Sequence, residues 1–152
     1  MKQLSLIPKK TFKGRKTARA IAVRRGENHV ILKSRAPLLR RHRGIVLRSI
    51  RETQDRFGIR LRALAVMENH IHLVVRVSSR QQFANALRML AGTIARRIAK
   101  KGRFWLQRAW SRVLTPGRDL DIATRYVLSN PLKAGLNSLF DTFWLRDGIL
   151  QL

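Results

Sequence analysis

Apolar residues recur at helical spacing in one part of the chain and alternate in the next, which predicts the order of its elements. Val30 to Leu32, together with His29 and Lys33, form a short strand candidate. Beyond Pro37, apolar side chains return at helical spacing until Gly58, a residue that suits a helix C-cap. These apolar positions are Leu39, Val46, Ile50 and Phe57. The pattern therefore predicts a strand followed by a helix.

The spacing changes to two after this helix. From Ile59 to Met67 every second residue is apolar, and Ile71 to Val77 is a second β run. Glu68 and Asn69 separate the two runs and form the predicted turn. Both faces of this hairpin are largely apolar, so we expect it in the middle of a sheet.

The second half of the chain predicts two more helices with a strand between them. Ser78 or Ser79 caps the first helix, whose stripe is Phe83, Leu87, Leu90, Ile94 and Ile98. Phe104 to Leu114 predict a fourth strand. Asp119 to Asn130 predict a final helix that Pro131 stops.

The predicted order is strand, helix, strand, strand, helix, strand and an added helix. This order indicates an α+β fold of the ferredoxin-like split type, an antiparallel sheet with helices on one face. The extra C-terminal helix carries Tyr126. We expect a basic N-terminal arm over residues 1–27, one domain over residues 28–136 and a C-terminal extension over residues 137–152.

The net charge of the chain restricts the kinds of molecule that it can be expected to bind. The 152 residues carry 33 Lys and Arg against 8 Asp and Glu, a formal net charge of +25. The first acidic residue is Glu27. Such a surplus suits a polyanion partner, and a hydrophobic content of 45% still allows a buried core. The absence of cysteine excludes disulfide scaffolds, zinc–thiolate sites and cysteine nucleophiles.

We therefore expect a soluble, cytoplasmic and nucleoid-associated protein that binds nucleic acid, with no membrane partner and no small-molecule substrate. Apolar runs in the sequence are too short for a membrane span or a secretory signal. The predicted nucleic-acid contacts are Arg19, Arg24, Arg25, Arg76, Arg108, Arg112 and Trp110.

Two pairs of residues carry candidate chemistry. His70 and His72 are two apart on a strand, so both imidazoles project from one face and suit a divalent metal. Tyr126, the only tyrosine, precedes Asn130 by one helical turn. Taken separately, each pair also fits a structural role: histidines bonded at a sheet surface, an amphipathic tyrosine, and an asparagine at a helix end.

Three segments together resemble a known family. Residues 65–75 read AVMENHIHLVV, residues 105–112 read WLQRAWSR and residues 126–136 read YVLSNPLKAGL. They are similar to the Asn-His-x-His-Leu, aromatic-Gln-Arg and Tyr-x-x-x-Asn-Pro segments of small single-tyrosine HUH transposases, and especially to the branch associated with repetitive extragenic palindromes (REP). The resemblance covers about His29 to Leu136. Glu68 departs from it, because this family usually has proline there, and residues 143–152 match its tail poorly.

The resemblance implies a mechanism. His70, His72 and Asn130 would bind Mg²⁺ or Mn²⁺, and Tyr126 would attack the DNA to form a 5′-phosphotyrosine intermediate, with His70 and His72 counted among the catalytic residues. The expected substrate is single-stranded DNA beside a hairpin, which the enzyme cuts and rejoins. Both monomers and homodimers occur in the family.

Two alternatives remain open at the level of sequence. A non-catalytic, domesticated module that binds hairpin DNA or RNA explains the charge equally well, but it does not require the pairing of the two histidines with Tyr126. A nuclease that activates water at a metal would use His70 and His72 without Tyr126.

Overall fold

The computed structural model describes residues 26–99 and 101–135, together with the backbone of 145–146 and 149–150. The strands are β1 (Gly26–Lys33), β2 (Arg60–Val66), β3 (His70–Val77), β4 (Trp110–Leu114), β5 (Leu145–Arg146) and β6 (Ile149–Leu150). The helices are α1 (Arg43–Phe57), α2 (Arg80–Ile98) and α3 (Arg118–Lys133). The two last strands form a separate short hairpin.

The first four strands form one antiparallel sheet in the order β2-β3-β1-β4. Strand β1 therefore lies inside the sheet between β3 and β4, and β4 is an edge. This order, together with the β1-α1-β2-β3-α2-β4 sequence of elements, confirms the ferredoxin-like split fold. Strand β1 begins at Gly26, two residues before the domain boundary that we placed at residue 28.

The two faces of the sheet have different coverings. Ile71, Leu73 and Val75 of β3 point into the larger core, which α1 and α2 cover with residues such as Val46 and Ile94. Helix α3 packs on the opposite face, in a smaller core formed by Ala63, Ala65, Met67, Val74, Leu114, Ala123 and Val127. The alternation of β3 thus places its histidines on the α3 face.

Helix α1 begins later than the sequence predicts. We expected it directly after Pro37, but it starts at Arg43. The backbone N–H of Leu39 donates to the carbonyl of Glu68 at 2.9 Å. This bond ties residue 39 to the turn between β2 and β3, and residues 39–42 form a hydrogen-bonded turn before the regular helix begins.

The fourth strand is shorter than predicted, since only Trp110–Leu114 of the expected Phe104–Leu114 is a strand. Trp105 makes an isolated bridge to Ser34, and its indole N–H donates to the carbonyl of Ala91 on α2 at 2.9 Å. The chain therefore turns toward α2 before it joins the sheet.

Helix α3 does not stop at Pro131 as predicted but continues to Lys133. Pro131 is buried, and the helix ends where Gly135 adopts a φ of +71°. At the other end, Asp119 accepts hydrogen bonds from the Thr115 backbone N–H at 2.9 Å and from Arg112 at 3.0 Å. These bonds tie the start of α3 to β4.

Across the described part of the chain, every helix is too short or too polar to span a lipid bilayer.

Leu114 tests the packing of α3. It is 1% exposed in the smaller core, whereas Leu132 on α3 itself is 59% exposed. Because Leu114→Ala leaves a cavity beneath α3, we expect it to lower the free energy of unfolding by about 2–5 kcal/mol. Leu132→Ala should have little effect, and urea denaturation measures both. Equal effects of the two variants would contradict the packing described here.

Candidate functional site

Four aromatic side chains meet on the α3 face of the sheet. His72 from β3 lies beside His29 from the neighbouring strand β1, and both are buried. The ring of Tyr126, on α3, is centred 5.8 Å from that of His72 and 6.2 Å from that of His29. The ring of Trp110, on β4, lies edge-on to His29 at 5.6 Å. Three strands and one helix therefore contribute to one site.

His72 has one ring nitrogen engaged. Its Nδ1 lies 3.0 Å from Nε2 of His29, and the two rings are stacked at an angle of 22°. One nitrogen of this pair must carry the hydrogen and the other must accept it. When Nδ1 of His72 is the donor, Nε2 of His72 keeps its lone pair for a ligand.

His70 has the same arrangement with a different partner. Its Nδ1 lies 2.8 Å from Oδ1 of Asn69. An amide oxygen only accepts, so Nδ1 of His70 carries the hydrogen and Nε2 keeps its lone pair. The centroids of the His70 and His72 rings are 4.8 Å apart. Asn69 therefore leaves Nε2 of His70 available, and Nε2 of His72 is available in the tautomer in which Nδ1 of His72 donates to His29.

Tyr126 is held beside the histidines without being buried. Val127 next to it is fully buried against the sheet, while the side chain of Tyr126 is 47% exposed. The ammonium of Lys133 lies 5.4 Å from the centroid of the tyrosine ring. The phenol is therefore accessible to a large substrate and has a cation nearby.

Asn130 supplies the third candidate ligand. Its amide nitrogen is buried and, among the described residues, has no hydrogen-bond partner. A half-turn about the last side-chain bond exchanges the oxygen and nitrogen of an amide. The buried position of Asn130 Nδ2 can therefore be occupied by the amide oxygen instead. Two imidazole nitrogens and one amide oxygen are neutral donors of kinds that Mg²⁺ or Mn²⁺ can bind.

No carboxylate joins this set. Within the described ranges there is no cluster of three or more His, Cys, Asp or Glu side chains arranged to hold a metal ion. Glu68, whose role the sequence left open, has an exposed side chain and uses its backbone carbonyl in the turn. A metal at this site would therefore need further ligands from substrate phosphate and water.

Burial and positive neighbours keep the histidines neutral. Burial lowers the pKa of His72 to about 3, with smaller contributions from His70 and His29. Burial also lowers the pKa of His29, assisted by Arg112, and the pKa of His70, assisted by Lys33. Neutral imidazoles are the form that binds a metal.

The predicted nucleic-acid contacts are spread over several places. Arg112 forms an ion pair with Asp119. Arg76 is exposed on the α3 face, at the opposite end of β3 from His70 and His72. Trp110 is 43% exposed beside His29, and Arg108 is exposed just before it. Arg19, Arg24 and Arg25 lie outside the described residues.

His29 is the site residue that the sequence reasoning missed. It was interpreted only as part of the first strand. The available signal was its place in an apolar run, where a histidine needs a polar partner. The identity of that partner depends on the pairing of β1 with β3, which the sequence does not reveal.

The sequence model of the IS200-like transposase family matches residues 23–115. This range is more than half of the chain, so the chain belongs to the IS200-like transposase family. It includes His29, His70 and His72 but ends before Tyr126 and Asn130. Family membership identifies a DNA-processing enzyme.

Solved structures share the fold. The structure of a REP-associated tyrosine transposase bound to a REP hairpin is 17% identical, with a TM-score of 0.67 over 75% of this chain and 71% of that one. A putative transposase from Deinococcus radiodurans R1 is 18% identical, with a TM-score of 0.51 over 82% of this chain and 97% of that one. No curated protein sequence matches significantly.

The buried histidines predict a loss of stability in mild acid. In the unfolded chain a histidine has a pKa near 6.5, whereas in the fold that of His72 is about 3. Between these values the unfolded state binds more protons, so the free energy of unfolding falls as the pH decreases. We expect lower urea midpoints at about pH 5 than at about pH 7 in metal-free protein, and a smaller decrease in His72→Phe. Equal midpoints for the original chain at the two pH values would contradict the lowered pKa of His72.

Proposed function

We propose that this transposase is a metal-dependent transesterase that cuts and rejoins single-stranded DNA beside hairpins through a 5′-phosphotyrosine intermediate. The observation that supports it most directly is the 5.8 Å separation between the ring centres of Tyr126 and His72. These residues are 54 positions apart, and simple DNA binding does not require a phenol beside a pair of neutral imidazoles.

The metal ligands in this proposal are Nε2 of His70, Nε2 of His72 and the amide oxygen of Asn130. The proposal requires the hydrogen of each ring on Nδ1, where Asn69 can accept it from His70 and His29 can accept it from His72. When bound, Mg²⁺ or Mn²⁺ supplies Lewis-acid polarisation of the scissile phosphate. Because all three donors are neutral, the phosphate brings the negative charge that the site lacks.

The chemical step is an exchange of one phosphodiester for another. The oxygen of deprotonated Tyr126 attacks the phosphorus, the tyrosine–phosphate bond forms, and the bond to the 3′-oxygen breaks. The leaving oxygen takes up a proton and becomes a 3′-hydroxyl. Attack by a new 3′-hydroxyl reverses these changes and releases the tyrosine, so rejoining needs no separate energy source.

A single strand next to a hairpin is the substrate that suits this site. The REP-associated relative with the same fold is bound to a REP hairpin. The net charge of +25 provides attraction to any strand, so the specificity of the reaction depends on the site itself.

Tyr126 provides the main test. We expect the protein, incubated with hairpin-flanked single-stranded DNA and Mn²⁺, to form a covalent adduct that is visible on a denaturing gel. Tyr126→Phe and a chelator should each abolish it, because one removes the nucleophile and the other removes the ion. His70→Ala should lose the adduct and keep most of the DNA affinity. Since the chain has one tyrosine, phosphotyrosine in the adduct identifies the residue.

Other outcomes of this assay favour other functions. Cleavage that survives in Tyr126→Phe would indicate a nuclease that uses water. Intact binding of the hairpin without any cleavage would indicate a non-catalytic module.

His29 is expected to act through His72. His29→Phe keeps a ring of similar size but removes the hydrogen bond to Nδ1, so we expect Mn²⁺ affinity to fall about 10- to 100-fold. His29→Gln can restore a bond at that position and should recover part of the affinity. Electron paramagnetic resonance measures the free Mn²⁺.

His42→Phe is the matched control, since His42 lies at the start of α1. It should bind Mn²⁺ like the original chain. In metal-free protein, ¹⁵N NMR of His72 should show a fixed tautomer that His29→Phe converts to a mixture. Unchanged Mn²⁺ affinity and tautomer in His29→Phe would contradict a positioning role.

A further inference from the structure

A concave surface lies on the face of the sheet opposite to the histidines. It is a cleft of about 710 Å³ between α2 and the segment of residues 103–109, and we call it the α2 cleft. Its floor and walls are apolar and include Leu32, Leu87, Ala91 and Trp105. This volume and lining suit a flat apolar ring.

The walls of the α2 cleft are held rigidly. The N–H of Arg35 donates to Phe104 at 3.0 Å, and the N–H of Leu106 donates to Lys33 at 2.8 Å. The indole of Trp105 is fixed by its bond to Ala91 and stands edge-on to Phe104 at 4.7 Å. The cleft is therefore already formed without a ligand, which lowers the entropic cost of binding.

The rim of the α2 cleft is strongly cationic. Arg88, Arg103 and Arg108 all line it. Within the described part of the chain, none of these three guanidinium groups forms an ion pair or a hydrogen bond, although Arg51, Arg62, Arg97 and Arg112 each do. Apolar walls beneath unpaired arginines are complementary to a nucleobase that carries its phosphates at the rim.

Residues that line the α2 cleft are adjacent in sequence to a residue of the histidine face. Arg108 and Ala109 line the cleft, and the next residue, Trp110, contacts His29 on the opposite face. These residues lie at β4, which is an edge of the sheet. A single strand that crosses this edge can contact both places.

We propose that the α2 cleft is a nucleotide-binding site that takes one unpaired base of the single-stranded DNA, with the flanking phosphates on Arg88, Arg103 and Arg108. The proposal rests on the DNA-binding part of the proposed function and is independent of cleavage by Tyr126. It gives the protein a contact with the bases that is separate from the reacting phosphate.

The test compares a labelled single-stranded oligodeoxynucleotide with an abasic strand of the same length, by fluorescence anisotropy of the full chain in chelator. Ala84 lines the α2 cleft, so Ala84→Phe fills it without changing the charge. We expect Ala84→Phe to weaken binding of the base-containing strand about tenfold and to leave the abasic strand unaffected. Asn85→Phe adds the same ring to α2 about 100° round the helix from Ala84, at a residue that does not line the cleft, and should bind like the original chain.

A second measurement needs no variant. DNA with 5-iodouracil at successive positions should crosslink at one position to Phe104 or Trp105, as mapped by mass spectrometry. Binding by Ala84→Phe equal to that of the original chain, or crosslinks confined to residues outside the α2 cleft, would overturn the proposal. The chelator prevents metal-dependent cleavage, so a negative result here leaves the tyrosine-adduct assay unaffected, and the reverse also holds.

Discussion

The close approach of α3 to the sheet is the constraint on which the candidate site depends. Ala63 and Ala65 of β2 are fully buried and offer only a methyl group each, so the helix can pack close to the sheet. Val127 fills the space between them and Val74. Tyr126 precedes Val127, so its ring is placed next to the histidines by this packing. A larger side chain on β2 would hold the helix away and separate the phenol from the imidazoles.

The periodicity of apolar residues predicted the four strands of the main sheet, the three helices and their order, but it predicted neither the short β5–β6 pair nor the ends of the elements. Ahead of α1, a bond from the N–H of Leu39 ties the chain to Glu68, which is 29 positions away. The start of β4 is determined by the indole of Trp105, which reaches α2. The extension of α3 beyond Pro131 follows the burial of that proline. Each of these is a tertiary interaction, and local sequence signals do not contain it.

The candidate site was predictable to the extent that it lies in local motifs. The strand spacing of His70 and His72 and the helical spacing of Tyr126 and Asn130 can be read directly, and the family resemblance joined the two pairs. His29 could not be assigned in this way, because its contact with His72 depends on strand register. The α2 cleft could not be predicted from the sequence either, since Leu32, Leu87 and Trp105 come from three separate parts of the chain.

The uncharged character of the proposed donor set has a thermodynamic consequence. Two imidazoles and an amide leave the full double charge of a divalent cation uncompensated, in contrast to sites that contain carboxylates. The free protein is therefore expected to hold such a cation weakly, and an incoming phosphodiester should strengthen its retention. By linkage, the cation must strengthen the retention of the phosphodiester by the same factor. Occupancy of the site by the ion then depends on the presence of nucleic acid. This dependence would limit metal-catalysed side reactions while no DNA is bound.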